Sequence, residues 1–134
     1  MAKTTLLVVL CCGLAQAQSS SSVNSKIVAS ANGFLSSLDE GQRSKVMFDF
    51  NDAVQRAKWS NLPTTMVPRA GLKVGDLSAP QRKAAMDLLA AMLSQRGYEK
   101  VLAIVEGDEM LKGASPGRAM FGRDLYYISM LGKP

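Results

Sequence analysis

The chain has 134 residues, of which 47% are hydrophobic and 20% charged, with a formal net charge of +5 and no histidine. This composition is typical of a single globular domain. The basic residues are scattered singly, without the dense phosphate-tracking stripe and interleaved aromatics of nucleic-acid-binding proteins, so we expect no nucleic-acid partner.

The first 17 residues, MAKTTLLVVLCCGLAQA, have the organisation of a secretory signal peptide. Lys3 supplies the positive region, Leu6 to Leu14 the apolar region, and Ala15 to Ala17 the small-x-small cleavage site. The apolar run is shorter than the roughly 20 residues of a membrane-spanning helix. We therefore predict cleavage after Ala17, a secreted or extracytoplasmic product, and no stable membrane span after cleavage. An uncleaved anchor is the alternative; a lipoprotein fits less well, because Leu10 and not a small residue precedes Cys11.

Both cysteines, Cys11 and Cys12, lie within this predicted signal peptide. The mature chain would therefore have no disulfide, no cysteine nucleophile and no thiolate metal site. The absence of histidine also removes the commonest general base and the usual zinc ligand. Neither a phosphate-binding glycine loop nor a G-x-S-x-G elbow is present. We predict no catalytic constellation, no metal site and no cofactor.

The first half of the mature chain has mainly helical patterns. Residues 18–29 are predicted to be a flexible polar leader, and residues 30–134 the domain proper. Near the start of the domain, apolar residues fall on one helical stripe: Ile27, Ala31, Phe34, Leu35 and Leu38. Asp39 then has the features of an N-cap, with Gln42 closing a capping box, and the following helix is expected to carry Val46, Met47 and Phe50 inward. A short third helix is predicted within NDAVQRAKW, before an irregular connection rich in Pro and Gly.

The clearest helix begins after Ser78, a predicted N-cap with Gln81 as its capping-box partner. Its predicted buried stripe consists of Ala85, Leu88, Leu89 and Met92. Gly97 is expected to end it as a left-handed residue, and a second helix follows over YEKVLAIVEGDEMLKG, with a break possible at Gly107. Two such helices joined by a tight turn predict a helical hairpin.

The segment LYYISML, residues 125–131, is β-branched and aromatic and predicts a strand. A lone strand cannot satisfy its own backbone hydrogen bonds, and TTMVP is the only faint earlier candidate for a partner. The predicted fold class is therefore α+β, with four to five helices including a helical hairpin, then one C-terminal strand of a larger sheet-containing domain that is truncated here. An exposed edge at residues 125–131 would favour self-association through that strand.

Five residues are the best candidates for contacting a ligand, because arginine offers a planar fork for carboxylates and Trp and Tyr offer stacking area with a polar tip. They are Trp59, Arg69, Arg123, Tyr126 and Tyr127. A structural role, as core residue or loop clamp, is the alternative for Trp59 and Arg69. The carboxylate clusters Asp49/Asp52 and Glu106/Asp108/Glu109 are interpreted as solvated helix ends.

Several stretches resemble the N-terminal part of the DUF3500 family, a domain of unknown function. They are FLSSLDEGQRSKVMFDFND, Trp59, the run from Val67 to Leu111, and RDLYYISMLGKP, which together cover roughly residues 30–134. The most specific are the Pro-Arg-x-Gly-Leu loop, the Gln-Arg helix leading to Gly-Tyr, and the Tyr-Tyr strand leading to Gly-x-Pro.

The resemblance implies export and a continuation past the Gly-x-Pro into a Trp-rich strand and a Gly-His-His segment, which this chain does not contain. It implies no known activity. The preferred hypothesis is an uncharacterised exported protein without a catalytic site of its own. The alternatives are a module that binds a small acidic or carbohydrate-like ligand, and the cleft wall of a secreted hydrolase whose catalytic residues lie beyond Pro134.

Overall fold

A computed structural model of the chain describes residues 11–114 and 120–134, with side chains from residue 22 to 112 and from 120 onward. Within these residues the fold is mostly helical α+β, as predicted. The helices are α1 (Cys11–Ser36), α2 (Glu40–Val46), α3 (Ala53–Ala57), α4 (Ala79–Met92) and α5 (Gln95–Ala114). The strands are β1 (Met47–Phe48), β2 (Leu72–Lys73), β3 (Tyr127–Ile128) and β4 (Met130–Leu131), with 3-10 turns at Val74–Asp76 and Arg123–Leu125.

The two predicted capping boxes are confirmed. The backbone N–H of Gln42 donates to Asp39 Oδ1 at 2.7 Å, and the N–H of Asp39 donates to Gln42 Oε1 at 3.2 Å. At α4 the N–H of Ser78 donates to Gln81 Oε1 at 2.9 Å. Each box supplies partners for backbone N–H groups that the first turn of a helix leaves unpaired, worth about 1 kcal/mol.

The core forms where α1 packs along α4, with β2 and the end of α2 beside them. The predicted stripe of α1 is confirmed: Ile27 packs against the core and its other members are buried. Only Ala85 and Leu88 of the α4 stripe are buried, whereas Met92, the last helical residue, is exposed. The buried residues of the cluster are Ala31, Phe34, Leu35, Leu38, Val46, Leu72, Leu77, Ala85 and Leu88.

Phe50 does not point inward as predicted. Helix α2 ends at Val46, and Met47 is its C-cap with an extended backbone. Because the helical spacing is lost there, Phe50 is not carried to the side of Val46 and is 59% exposed.

The prediction for Gly97 is also wrong. Helix α4 ends at Met92 with Leu93 extended, and Gly97 lies in the first turn of α5, where its N–H donates to Ser94 Oγ at 3.2 Å. Ser94 Oγ thus accepts an N–H from the first turn of α5, and α4 ends at Met92 without a glycine. Helix α5 continues through Gly107 without a break.

The C-terminal strand has its partners within this chain, contrary to the prediction. β4 pairs in parallel with β1, and β3 pairs antiparallel with β2. The faint candidate TTMVP forms a turn, with the N–H groups of Met66 and Val67 bound to Pro63 O. Pairs of two residues are too short to show alternating hydrophobicity, so the sequence gives no sign of them. Self-association through residues 125–131 stays a prediction, since each of these sheets has only two strands within the described residues.

Residues 18–29 lie in α1, which differs from the flexible leader that was predicted. The predicted cleavage site at Ala17 also falls within this helix, while Lys3 and the start of the apolar region lie outside the described residues. Among the helices described, none is long and apolar enough to cross a membrane. Cleavage of a signal peptide stays a prediction.

Candidate functional site

Residues 50–66, hereafter the apolar segment, expose five large apolar side chains. Of these, the Trp59 side chain is 80% exposed. The others are Phe50, Val54, Leu62 and Met66. A single exposed apolar residue needs no explanation, but five within one short segment make it a candidate interaction surface.

Local structure explains why these side chains stay outside the core. Asp52 caps α3, and its Oδ1 accepts the N–H of Gln55 at 2.8 Å. Helix α3 has only 5 residues and none of them is buried, so it has no core-facing stripe that could draw Val54 inward. Beyond it the chain turns at Pro63, which stiffens the backbone.

Arg69 holds the apolar segment in shape. Its guanidinium donates to the carbonyl oxygens of Ser60 at 2.7 Å and Val67 at 2.6 Å, and also to that of Leu62. Arginine suits this task because its planar fork can reach several acceptors at once. The donors that were expected to meet a ligand carboxylate are thus bound to main-chain carbonyls, which makes Arg69 a clamp of the loop.

Two basic residues of the apolar segment, Arg56 and Lys58, precede Trp59, and the one carboxylate of the segment is Asp52 near its start. From residue 53 to residue 75 the chain has no Asp or Glu, and its charged residues are Arg56, Lys58, Arg69 and Lys73. The Arg56 guanidinium lies 4.7 Å from the centroid of the Phe50 ring and donates to Phe50 O at 2.7 Å. Aromatic residues, Met and Arg together are the composition enriched in protein–protein interfaces.

Arg123 and Tyr126 take part in a different group of contacts, on α5. The Tyr126 hydroxyl donates to Asp108 Oδ2 at 2.6 Å, the Arg123 N–H donates to Glu109 Oε2 at 2.8 Å, and Arg123 Nη2 donates to Glu106 Oε2 at 3.2 Å. These five residues are hereafter the carboxylate latch. The interpretation of Glu106, Asp108 and Glu109 as solvated helix ends missed their partners, which lie too far along the chain for a local pattern to show.

Two groups of the latch have shifted pKa values. Burial, together with the hydrogen bond to Asp108, raises the pKa of Tyr126 to about 12. The Arg123 backbone N–H, aided by Lys112 and the Arg123 side chain, keeps the pKa of Glu109 below its usual value. Both shifts stabilise the protonation states in which Tyr126 donates and Glu109 accepts.

The five predicted binding residues therefore do not come together in one site. Trp59 and Arg69 lie in or beside the apolar segment, Arg123 and Tyr126 in the latch, and Tyr127 is half-buried in β3 opposite Lys73. Phe50, Val54, Leu62 and Met66 were not predicted as surface contacts; Phe50 was assigned to the core. The absence of acidic residues over residues 53–75 was the sequence signal that could have drawn attention to the part of the segment that follows Asp52.

The chemistry available to the described residues is recognition through apolar, aromatic and cationic groups. Within residues 11–114 and 120–134, no three of His, Cys, Asp and Glu come together in a way that could hold a metal ion. The carboxylates of the latch are engaged by Arg123 and Tyr126. The apolar segment has accessible apolar side chains of the kind that binding requires.

No curated protein and no solved structure matches the chain. A family match extends over residues 20–134, and the family is described as "Protein of unknown function (DUF3500)". It includes the loop of Arg69, both capping boxes and the C-terminal strand. The chain therefore belongs to the DUF3500 family.

Proposed function

We propose that this chain is an exported protein-binding module and that the apolar segment is the surface that contacts its partner. The observation that carries the proposal is the exposure of five large hydrophobic side chains within residues 50–66, with Trp59 80% exposed. Leaving this surface in water forgoes the favourable free energy of burial, about 25 cal/mol per Å² of apolar area. A bound partner would recover it.

The segment is held in place before any partner arrives. Arg69 joins three carbonyls of the loop, and Asp52 caps the short helix that precedes it. A surface already ordered in the free protein loses less conformational entropy on binding. Trp and Arg are also the residue types most often found to dominate interface free energies.

The charge of the segment indicates the chemistry of the partner. Arg56 and Lys58 are exposed and flank Trp59 on the N-terminal side, with no acidic residue from 53 to 75. A complementary protein surface would have an apolar centre for Trp59 and Met66, and Asp or Glu at its rim. Such rim charges chiefly set association rate and specificity.

A small acidic or carbohydrate-like ligand is the second candidate, and the observation in its favour is the open face of Trp59 beside Lys58. The polar groups first assigned to it, Arg69 and Tyr126, are bound to protein atoms. The protein partner is therefore favoured. A role as the cleft wall of a secreted hydrolase would depend on catalytic residues beyond Pro134 and gains no support from these contacts.

Export is tested by expressing the full chain in a secreting host and determining the N-terminus of the product in the medium. We expect a product that begins at Gln18. A chain that stays in the cell with Met1 or Ala2 at its N-terminus would contradict both export and cleavage.

Binding is tested with a photo-crosslinking amino acid placed at position 59 or 66, with position 87 on exposed α4 surface as the control. We expect one protein to be crosslinked from 59 and 66 but not from 87. With that protein purified, Trp59→Ala should weaken binding roughly 10- to 100-fold, since interface Trp residues contribute about 2 kcal/mol or more. Crosslinks to glycans or small molecules only, or to a second copy of the chain only, would refute the proposed partner.

A further inference from the structure

Helix α5 lacks the buried apolar face that normally fixes a helix to its domain. None of its described side chains, from residue 95 to 112, is buried, and Leu102, Ile104 and Met110 are exposed. By contrast α1 and α4 contribute buried residues to the core. In proteins most of the stability of a helix comes from packing of its apolar face rather than from helix propensity, so the attachment of α5 matters.

The polar contacts that help to attach it come from one turn of the helix. Glu106, Asp108 and Glu109 hold the backbone and side chains of Arg123 and Tyr126 through the latch bonds described above. The second contact of Arg123 with Glu109, Nε to Oε2, is 3.5 Å long. All these carboxylates are acceptors, and each must be ionised to accept with full strength.

Other charged groups near the latch show that the segment around Asp124 is held by contacts outside α5. Lys112 lies on α5 itself and reaches Glu109 Oε1 at 3.4 Å. On the other side, Asp124 binds Arg82 of α4 at 2.9 Å. The segment around Asp124 is thus also tied to α4, and β3 is paired with β2. If the latch opens, α5 keeps only its contacts with α4 and those of its half-buried side chains, while the segment around Asp124 and β3 keeps its partners.

We infer that α5 is a detachable helix, released from the rest of the fold when acid weakens the ion pairs of the latch. An ionised carboxylate accepts a charge-assisted hydrogen bond from Arg123. That bond loses its charge assistance when the carboxyl group is neutral. Release would expose the half-buried side chains Tyr98, Val101 and Val105 as a new apolar surface.

The pH window follows from Glu109, the acceptor of the Arg123 backbone N–H. Because the pKa of Glu109 is lowered in the folded chain, its contribution is present above the ordinary Glu pKa and is lost as pH falls through the lower value. The α5 contact is therefore closed at neutral pH and opens in acid, as pH falls through the lowered pKa of Glu109. The apolar contact between α1 and α4 has no such dependence.

The test is amide hydrogen exchange of the full chain between about pH 7 and pH 3, corrected for the intrinsic exchange rate. We expect the amides of residues 98–112 to lose protection at least tenfold more than those of α1 around Phe34 and of α4 around Leu88. The triple variant Glu106→Gln, Asp108→Asn, Glu109→Gln should show the acid pattern already at neutral pH.

Lys83→Gln is the matched control, because it breaks the exposed Lys83–Asp87 ion pair on α4 and leaves the latch intact. It should behave as the wild type at every pH. The inference is overturned if α5 loses protection together with α1 and α4 in a single transition. It is also overturned if the triple variant protects α5 as well as the wild type does at neutral pH.

Discussion

Gln42 and Gln81 join the two capping boxes of the fold by binding each other, amide to amide. Gln81 Nε2 donates to Gln42 Oε1 at 2.7 Å, and Gln42 Nε2 donates to Gln81 Oε1 at 3.3 Å. The same amide groups also reach Ser37 O at 2.8 Å and Asp76 O at 3.2 Å. The starts of α2 and α4 are thereby tied to each other and to the end of α1.

Gln81→Ala should lower the free energy of unfolding by about 2 kcal/mol, because it removes one capping partner and leaves carbonyl and amide groups of its neighbours unpaired. Urea denaturation measures the change. Gln95→Ala is the control, since Gln95 bonds only the exposed Glu99 side chain on the same helix, at 3.0 Å. An equal effect of the two variants would mean that the amide pair contributes nothing beyond helix propensity.

Gly71→Ala should destabilise the fold by about 3 kcal/mol or more, because an added Cβ combines steric overlap with backbone strain. Gly71 has a φ of +112°, and its Cβ would lie 2.6 Å from the carbonyl oxygen of Ile128 and 2.5 Å from Ser129 Oγ. Thermal denaturation followed by circular dichroism is the measurement. A variant as stable as the wild type would show that β2 and β3 do not approach this closely.

Gly107→Ala is the matched counterpart. Gly107 lies inside α5, and a Cβ there would meet nothing within 4 Å. We expect this variant to be more stable by about 0.5–1 kcal/mol, since alanine has the higher helix propensity. Loss of stability would indicate that a close contact requires this glycine.

Arg69→Lys should loosen the apolar segment without unfolding the domain. A lysine ammonium is a point charge and cannot bind the carbonyls of Ser60, Leu62 and Val67 in the planar arrangement of a guanidinium. Hydrogen exchange over residues 60–67 should accelerate about tenfold, while exchange in α1 stays unchanged. Arg96→Lys, an exposed position on α5, serves as the control and should change neither. Unaltered exchange in Arg69→Lys would show that the loop is held by other contacts.

Tyr126→Phe should lower stability at neutral pH by about 1 kcal/mol, because Asp108 loses the hydroxyl that donates to it. In the wild type the pKa of Tyr126 is raised to about 12, so its contribution is present below its ordinary pKa near 10 and is lost as pH rises through 12. Spectrophotometric titration should therefore find one tyrosine with a pKa near 12, absent in the variant. Titration of all tyrosines near 10 would contradict the Tyr126–Asp108 bond.

The sequence by itself determined the features that depend on neighbours within one or two helical turns. The N-caps Asp39 and Ser78 bind groups three residues away, and the stripe of α1 follows the helical repeat. Both features could therefore be predicted from the sequence. The family could also be recognised from local motifs. The break that follows Val46 was local too, but the pattern favoured continuing the helix, and Phe50 was assigned to the core for that reason.

Only the tertiary structure decided the contacts between distant residues. The pairing of β1 and β2 with the C-terminal strand involves two residues each, which is too short for any periodicity, and it is selected by the packing of the helices around it. The assignment of Arg69 to a loop clamp and of Arg123 and Tyr126 to the latch follows from which acceptors come within hydrogen-bond distance after folding. A residue type fixes which bonds a side chain can form, whereas the fold fixes which partner is near enough to form them.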